Sequence, residues 1–138
     1  MRSSRIQAVL FTLIVSLMFT RVMIAQNACP TGLKLTDDDA RVLLYVSPAA
    51  VQARKAGTDV DIEKSEPTEQ FPATNFFVAA LVSKKPTDGS VLGNGILGYF
   101  SVDKRTGEVE STGDFTTIKG VELDRVRTWL LHARCGHK

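Results

Sequence analysis

Asn75-Phe76-Phe77-Val78-Ala79-Ala80-Leu81-Val82-Ser83 is the run on which the fold turns. Nine residues rich in aromatic and branched side chains make a strand-length segment, too short for a typical helix. In an extended chain Phe76, Val78, Ala80 and Val82 share one side, while Phe77, Ala79 and Leu81 share the other. Both sides are apolar, which predicts a central strand covered on both faces.

Period-two patterning extends to either side. Asp59-Val60-Asp61-Ile62-Glu63 alternates polar and apolar, as a half-buried strand does. Glu66–Pro72 is a loop, because its two prolines cannot donate to a ladder. Lys84–Gly95 is a polar, glycine-rich connection to a third strand at Ile96–Val102, and Asp103–Gly107 is a tight turn into a fourth at Glu108–Ser111.

Helical patterning flanks this block. Thr36 can cap a helix whose first turn holds Asp37, Asp38 and Asp39, with Ala40, Leu43, Leu44 and Ser47 on one face. Pro48 suits a first helical position with Ser47 as its cap. Two short helices over about 37–46 and 48–55, or one kinked helix, are expected, with Gly57 at the end. The last element is a helix over Val121–Ala133, with Leu123, Val126, Trp129, Leu130 and Ala133 as an apolar stripe facing the sheet. The fold class is therefore α+β: two short N-terminal helices, a four-stranded antiparallel sheet and a C-terminal helix packed on it.

Export is read from the N-terminus. Arg2 and Arg5 precede a largely apolar run, Ala8–Phe19, whose twelve residues suit a signal peptide and fall short of a membrane span. Residues 1–25 are read as the leader, with Ala28 as an alternative end, and 26–138 as one α+β domain. Met23 or Gln26 would stand third-last at the cleavage site, where a small residue is preferred. An uncleaved membrane anchor is therefore the competing reading, and membrane association is expected only through the leader. A lipidated Cys29 fits poorly, since a lipobox reads like Leu-Ala-Gly-Cys and this chain has Gln26-Asn27-Ala28-Cys29. The expected location is periplasmic or extracellular.

Charge follows from that division. The chain has 17 basic and 15 acidic residues; Arg2, Arg5 and Arg21 lie in the leader, leaving 14 basic against 15 acidic. No basic stripe with interleaved aromatics remains, so nucleic acid is not an expected partner.

Cys29 and Cys135 stand at opposite ends of the mature chain, and in an exported protein two cysteines are most simply one disulfide. Closing a loop of about a hundred residues is worth roughly 4–5 kcal/mol in the chain-entropy view. The competing reading is a metal cluster of His132, Cys135 and His137, for which no completing ligands are evident. Calcium at Asp37–Asp39 is less economical than helix capping. The Asp59–Lys64 run lacks the glycine of a calcium loop, having Lys64 in its place.

Gly93-Asn94-Gly95-Ile96-Leu97-Gly98 matches G-x-G-x-x-G but runs into a strand, where a dinucleotide site needs a helix. No G-x-S-x-G, H-E-x-x-H or N-x-[ST] motif occurs. No cofactor, metal or catalytic residue is assigned. Tyr99 and Phe100, with Phe76 and Phe77, form a candidate aromatic patch on the sheet, expected as part of the core rather than as a ligand platform. Trp129 is a candidate packing or surface anchor, with packing under the last helix as the expectation.

The hairpin Gly98-Tyr99-Phe100-Ser101-Val102-Asp103-Lys104-Arg105-Thr106-Gly107-Glu108-Val109 resembles that of small exported bacterial domains of the PepSY and cystatin-like kind, in which a strand ending in Val-Asp turns through Thr-Gly-Glu-Val. The resemblance implies an inhibitory or partner-binding module without catalytic residues. The function expected is therefore a non-catalytic exported module that binds or inhibits a protein partner. The alternatives are a small hydrolase or ligand-binding enzyme using dispersed carboxylates and His132, and a membrane-tethered structural protein.

Overall fold

The computed structural model describes residues 28–84 and 95–136. The leader, Gly93, Asn94 and His137 lie outside the described residues. The elements are α1 (Asp37–Tyr45), α2 (Pro48–Lys55), β1 (Val60–Lys64), β2 (Phe76–Ser83), β3 (Ile96–Asp103), β4 (Val109–Ser111) and α3 (Val121–Cys135). The fold is α+β, as the change of periodicity predicts.

Local chemistry starts each helix. The Thr36 hydroxyl accepts from the Asp39 N–H at 3.1 Å, and the Asp39 carboxylate accepts from the Thr36 N–H at 2.9 Å. This reciprocal box satisfies two otherwise orphaned donors. The Ser47 side chain caps α2, whose first residue is Pro48, so two helices form rather than one kinked rod. The acids of the first turn have further partners. Asp37 meets Lys64 at 2.7 Å and Lys104 at 3.1 Å, and Asp39 meets Arg134 at 3.1 Å.

The sheet runs in the order β1-β2-β3-β4, all antiparallel. Across the ladders Ile62 faces Leu81, Ala79 faces Phe100, Phe77 faces Val102 and Val102 faces Val109. These residues join Leu35, Leu43, Leu44, Leu123, Leu130 and Leu131 in one hydrophobic core. The helices thus cover a single face. A register shift at Leu81/Val82 lets Leu97 pack against the core from the end of β3.

Tight approaches lock α3 in place. Gly107, at φ 68°, ends the β3–β4 turn, and a Cβ there would lie 2.8 Å from the Arg127 side chain. At Gly120 a Cβ would meet Pro48 at 2.8 Å, so α3 begins against the start of α2. Cys29 and Cys135 are paired across the domain, with Cα atoms 5.0 Å apart. Near this bridge the Cys29 N–H donates to the Arg105 carbonyl at 2.7 Å.

Two expectations need correction. The inward side of α3 carries Leu123, Leu130, Leu131 and Cys135, whereas Ala133 is exposed and Trp129 is 66% exposed. At about 100° per residue, an arc centred on those four buried residues puts Trp129 on the far side of the helix. The pairing of Cys135 with Cys29 and of Arg134 with Asp39 fixes that rotation. The second correction concerns β2, which is central but not covered on both faces. Phe77, Ala79 and Leu81 are buried, while Phe76, Val78 and Val82 are only half-buried. Among the described residues, no helix lies on their side.

Candidate partner-binding face

The uncovered side of the sheet is assembled by strand parity. Outward from β2 come Phe76, Val78, Ala80 and Val82, opposite Asp103, Ser101, Tyr99 and Ile96 of β3. Asp61 and Glu63 of β1 lie beside Val82 and Ala80, and Glu110 of β4 lies beside Ser101. Glu108, immediately before β4, shares Glu110's parity. The outward positions of the four strands thus carry Asp61, Glu63, Asp103 and Glu110 and no lysine or arginine. The face is apolar in the middle and acidic at both edges.

An aromatic row borders it. Phe71, from the loop before β2, meets Phe76 edge-on with centroids 5.3 Å apart. It also stacks with Phe115 at 6.4 Å and 22°. Phe115 is 54% exposed and has φ 54°, alone among the described non-glycine residues in the left-handed region. A bulky side chain pays of order 1–2 kcal/mol for that conformation. The surrounding turn enforces it. The Ser111 N–H donates to the Thr116 carbonyl, the Ile118 N–H donates to the Val109 carbonyl, and Glu110 bridges to Thr117. The Thr116 hydroxyl donates to Asp114 at 2.8 Å; this bond and a second from Ser111 hold the Asp114 carboxyl below its usual range.

Between the row and the acids lies a cavity of about 270 Å³ lined by Gln70, Phe71, Phe76, Ser101, Asp103, Glu108 and Glu110. Ser101 is 1% exposed, and its hydroxyl has no hydrogen-bond partner among the described residues. Such a group normally finds one, because an unpaired buried hydroxyl costs about 1–3 kcal/mol.

The residues singled out from sequence separate in space. Tyr99 lies on the open face, 43% exposed, and Phe76 shares that face. Phe100 and Phe77 are core residues on the opposite side, so the expected four-ring patch divides into two pairs. Trp129 stands on the outer side of α3. His132 is exposed on the same helix and lines none of the clefts seen beside α1, α2, the sheet or the N-terminal segment. Among the described residues, no three His, Cys, Asp or Glu side chains are grouped to hold a metal ion. Phe71, Phe115, Ser101, Glu108 and Glu110 were not anticipated. For Ser101, Glu108 and Glu110 the available signal was parity: once Phe77 is placed inside, every second residue of the neighbouring strands must face out. Phe71 and Phe115 lie in loops, which parity does not reach.

A solved chain in a type VI secretion system effector–immunity complex from Pseudomonas protegens has a similar fold. Its TM-score is 0.53 at 22% identity, and the match covers 76% of this chain and 80% of that one. No protein-family model matches the chain. No curated protein matches it either. The likeness of the 98–109 hairpin to PepSY and cystatin-like domains therefore rests on those residues alone.

Proposed function

We propose that this chain is an exported, non-catalytic module that recognises a protein partner through the open face of its sheet. The observation that carries this reading is Phe115, an exposed aromatic held in a strained conformation beside a half-buried sheet face. Aromatic side chains presented rigidly are the usual anchors of protein interfaces, and backbone strain persists where the surroundings enforce it. Tyr99 adds a second exposed ring on the same face. The fold it shares with a chain of an effector–immunity complex accords with a role in binding protein, and inhibition is the form of binding the hairpin resemblance suggests. A hydrolase built on His132 has no support in the arrangement of that residue. Export through the 1–25 leader, with Cys29 and Cys135 oxidised, completes the proposal.

The test is capture from the native envelope fraction, comparing the wild-type chain with Tyr99→Ser and Phe115→Ala. A protein held in stoichiometric amount by wild type and lost with both variants is the expected result. Equal retention by all three would overturn the assignment of the face. N-terminal sequencing of the exported protein locates the leader's end; a chain beginning at Met1 would overturn cleavage.

A further inference from the structure

We infer that the cavity at the edge of the open face is a receptor for an arginine side chain of the protein partner, an inference that rests on the partner-binding reading. Three features converge there. The first is charge. Glu108 and Glu110 line the cavity and make no ion pair among the described residues, while Asp103 beside them has only Arg105, at 3.6 Å. The nearby outward strand positions contribute no positive charge to balance them.

The second is Ser101. It lines the cavity, and its buried hydroxyl has no hydrogen-bond partner among the described residues, an arrangement that a bound donor would complete. The third is the wall formed by Phe71 and Phe76, whose rings meet edge-on at 5.3 Å. A guanidinium group is flat, carries five donors and stacks on aromatic rings. It can span two carboxylates, donate to a hydroxyl and lie against a phenyl ring at once, which a compact ammonium cannot do. A cavity of about 270 Å³ has room for such a side chain. A resident metal is a weaker match, since the three carboxylates are not grouped as a cation site.

The experiment titrates the isotope-labelled exported chain, disulfide intact, with N-acetyl-arginine amide and with the neutral, nearly isosteric N-acetyl-citrulline amide. Amide resonances of Phe71, Ser101 and Glu110 are followed by NMR. Saturable shifts confined to these residues, with citrulline at least tenfold weaker, are expected. Glu108→Gln combined with Glu110→Gln should weaken arginine by a similar factor; neither residue is buried, so the fold should survive. Equal response to the two probes, or shifts spread over the rest of the surface, would refute the assignment. So would calcium ions displacing arginine from the same amides, which would make the site a metal site. The comparison of probes needs no variant. Its failure leaves envelope capture through Tyr99 and Phe115 untouched, so the two proposals fall separately.

Discussion

The two faces of the sheet are made from alternate residues of the same strands, yet one is sealed and the other is open. On β2 the sealed side carries Phe77, Ala79 and Leu81, and the open side carries Phe76, Val78, Ala80 and Val82. The two sets are equally apolar. What separates them is the company they keep on β3: Phe77 faces Val102, whereas Phe76 faces Asp103 and Val78 faces Ser101. A helix laid over the second set would bury the Glu110 carboxylate, which has no ion-pair partner among the described residues. It would also bury Asp103, whose one ion-pair partner among them is Arg105 at 3.6 Å, and burying a carboxylate so poorly paired is costly. The sealed face builds stability; the open face carries Ser101, whose hydroxyl has no hydrogen-bond partner among the described residues, and Glu108 and Glu110, which have no ion pair among them.

The largest test of that contrast removes the clamp on the sealed side. Replacing Cys29 and Cys135 together by alanine should cost about 4–5 kcal/mol, since the bridge closes a separation of 106 residues. Unfolding in urea measures it, and a loss under about 1 kcal/mol would mean that the helices hold without the bridge. Next comes the pair Phe77→Ala and Phe76→Ala. The first empties a fully buried site and should cost about 3–5 kcal/mol, the second under about 2 kcal/mol. Equal costs would erase the distinction between the faces.

How far these faces could be read in advance depended on the kind of signal. Element boundaries were legible because caps and breakers are local: Thr36, Ser47-Pro48 and Gly107 act within a turn of themselves. The central position of β2 was legible from its apolar run. Its exposed side was not, because alternation shows that two faces exist without showing which one receives a helix. The phase of α3 was misread for a similar reason. Trp129 and Leu131 compete for the inward arc, and long-range links through Cys135 and Arg134 decide it. Phe115 was invisible, since its conformation comes from the pairing of 116–118 with β4.

Asp39 sharpens the comparison from the sealed side. Burial opposes its charge, but hydrogen bonds from Thr36 and Arg134 outweigh burial and hold its carboxyl below the usual range. A carboxylate with a lowered native value contributes stability that is full above the ordinary value of 3.8 and is lost as pH falls through the native one. Asp39→Asn should therefore cost about 2 kcal/mol near neutrality. The gap to wild type should close progressively in acid below pH 3.8. A gap independent of pH would show that the charge on Asp39 does not matter.

On the open side, Phe115 offers a smaller effect with a distinctive sign. At an ordinary position alanine is at least as stable as glycine, because glycine has more freedom to lose. In the left-handed region the order reverses, so Phe115→Gly should be more stable than Phe115→Ala by about 1 kcal/mol. Both variants lose the ring stacked on Phe71, so the difference isolates the backbone. Alanine equal to or better than glycine would mean that no strain is held there.

The smallest expected effect belongs to Trp129. At 66% exposure, on the outer side of α3, it has little to lose on truncation, and Trp129→Ala should change stability by under about 0.5 kcal/mol. Leu130→Ala, one residue along but turned into the core, should cost about 2–5 kcal/mol. Tryptophan emission in the folded chain should be close to that of a solvated indole and open to a soluble quencher. Because Trp129 lies on the helical layer, its removal should also leave capture through Tyr99 and Phe115 unchanged. A blue-shifted, protected emission with a large stability loss would show that α3 is rotated from the phase set by Cys135 and Arg134. That rotation would turn Leu131 outward and make Trp129 the residue that anchors α3 on the sealed face.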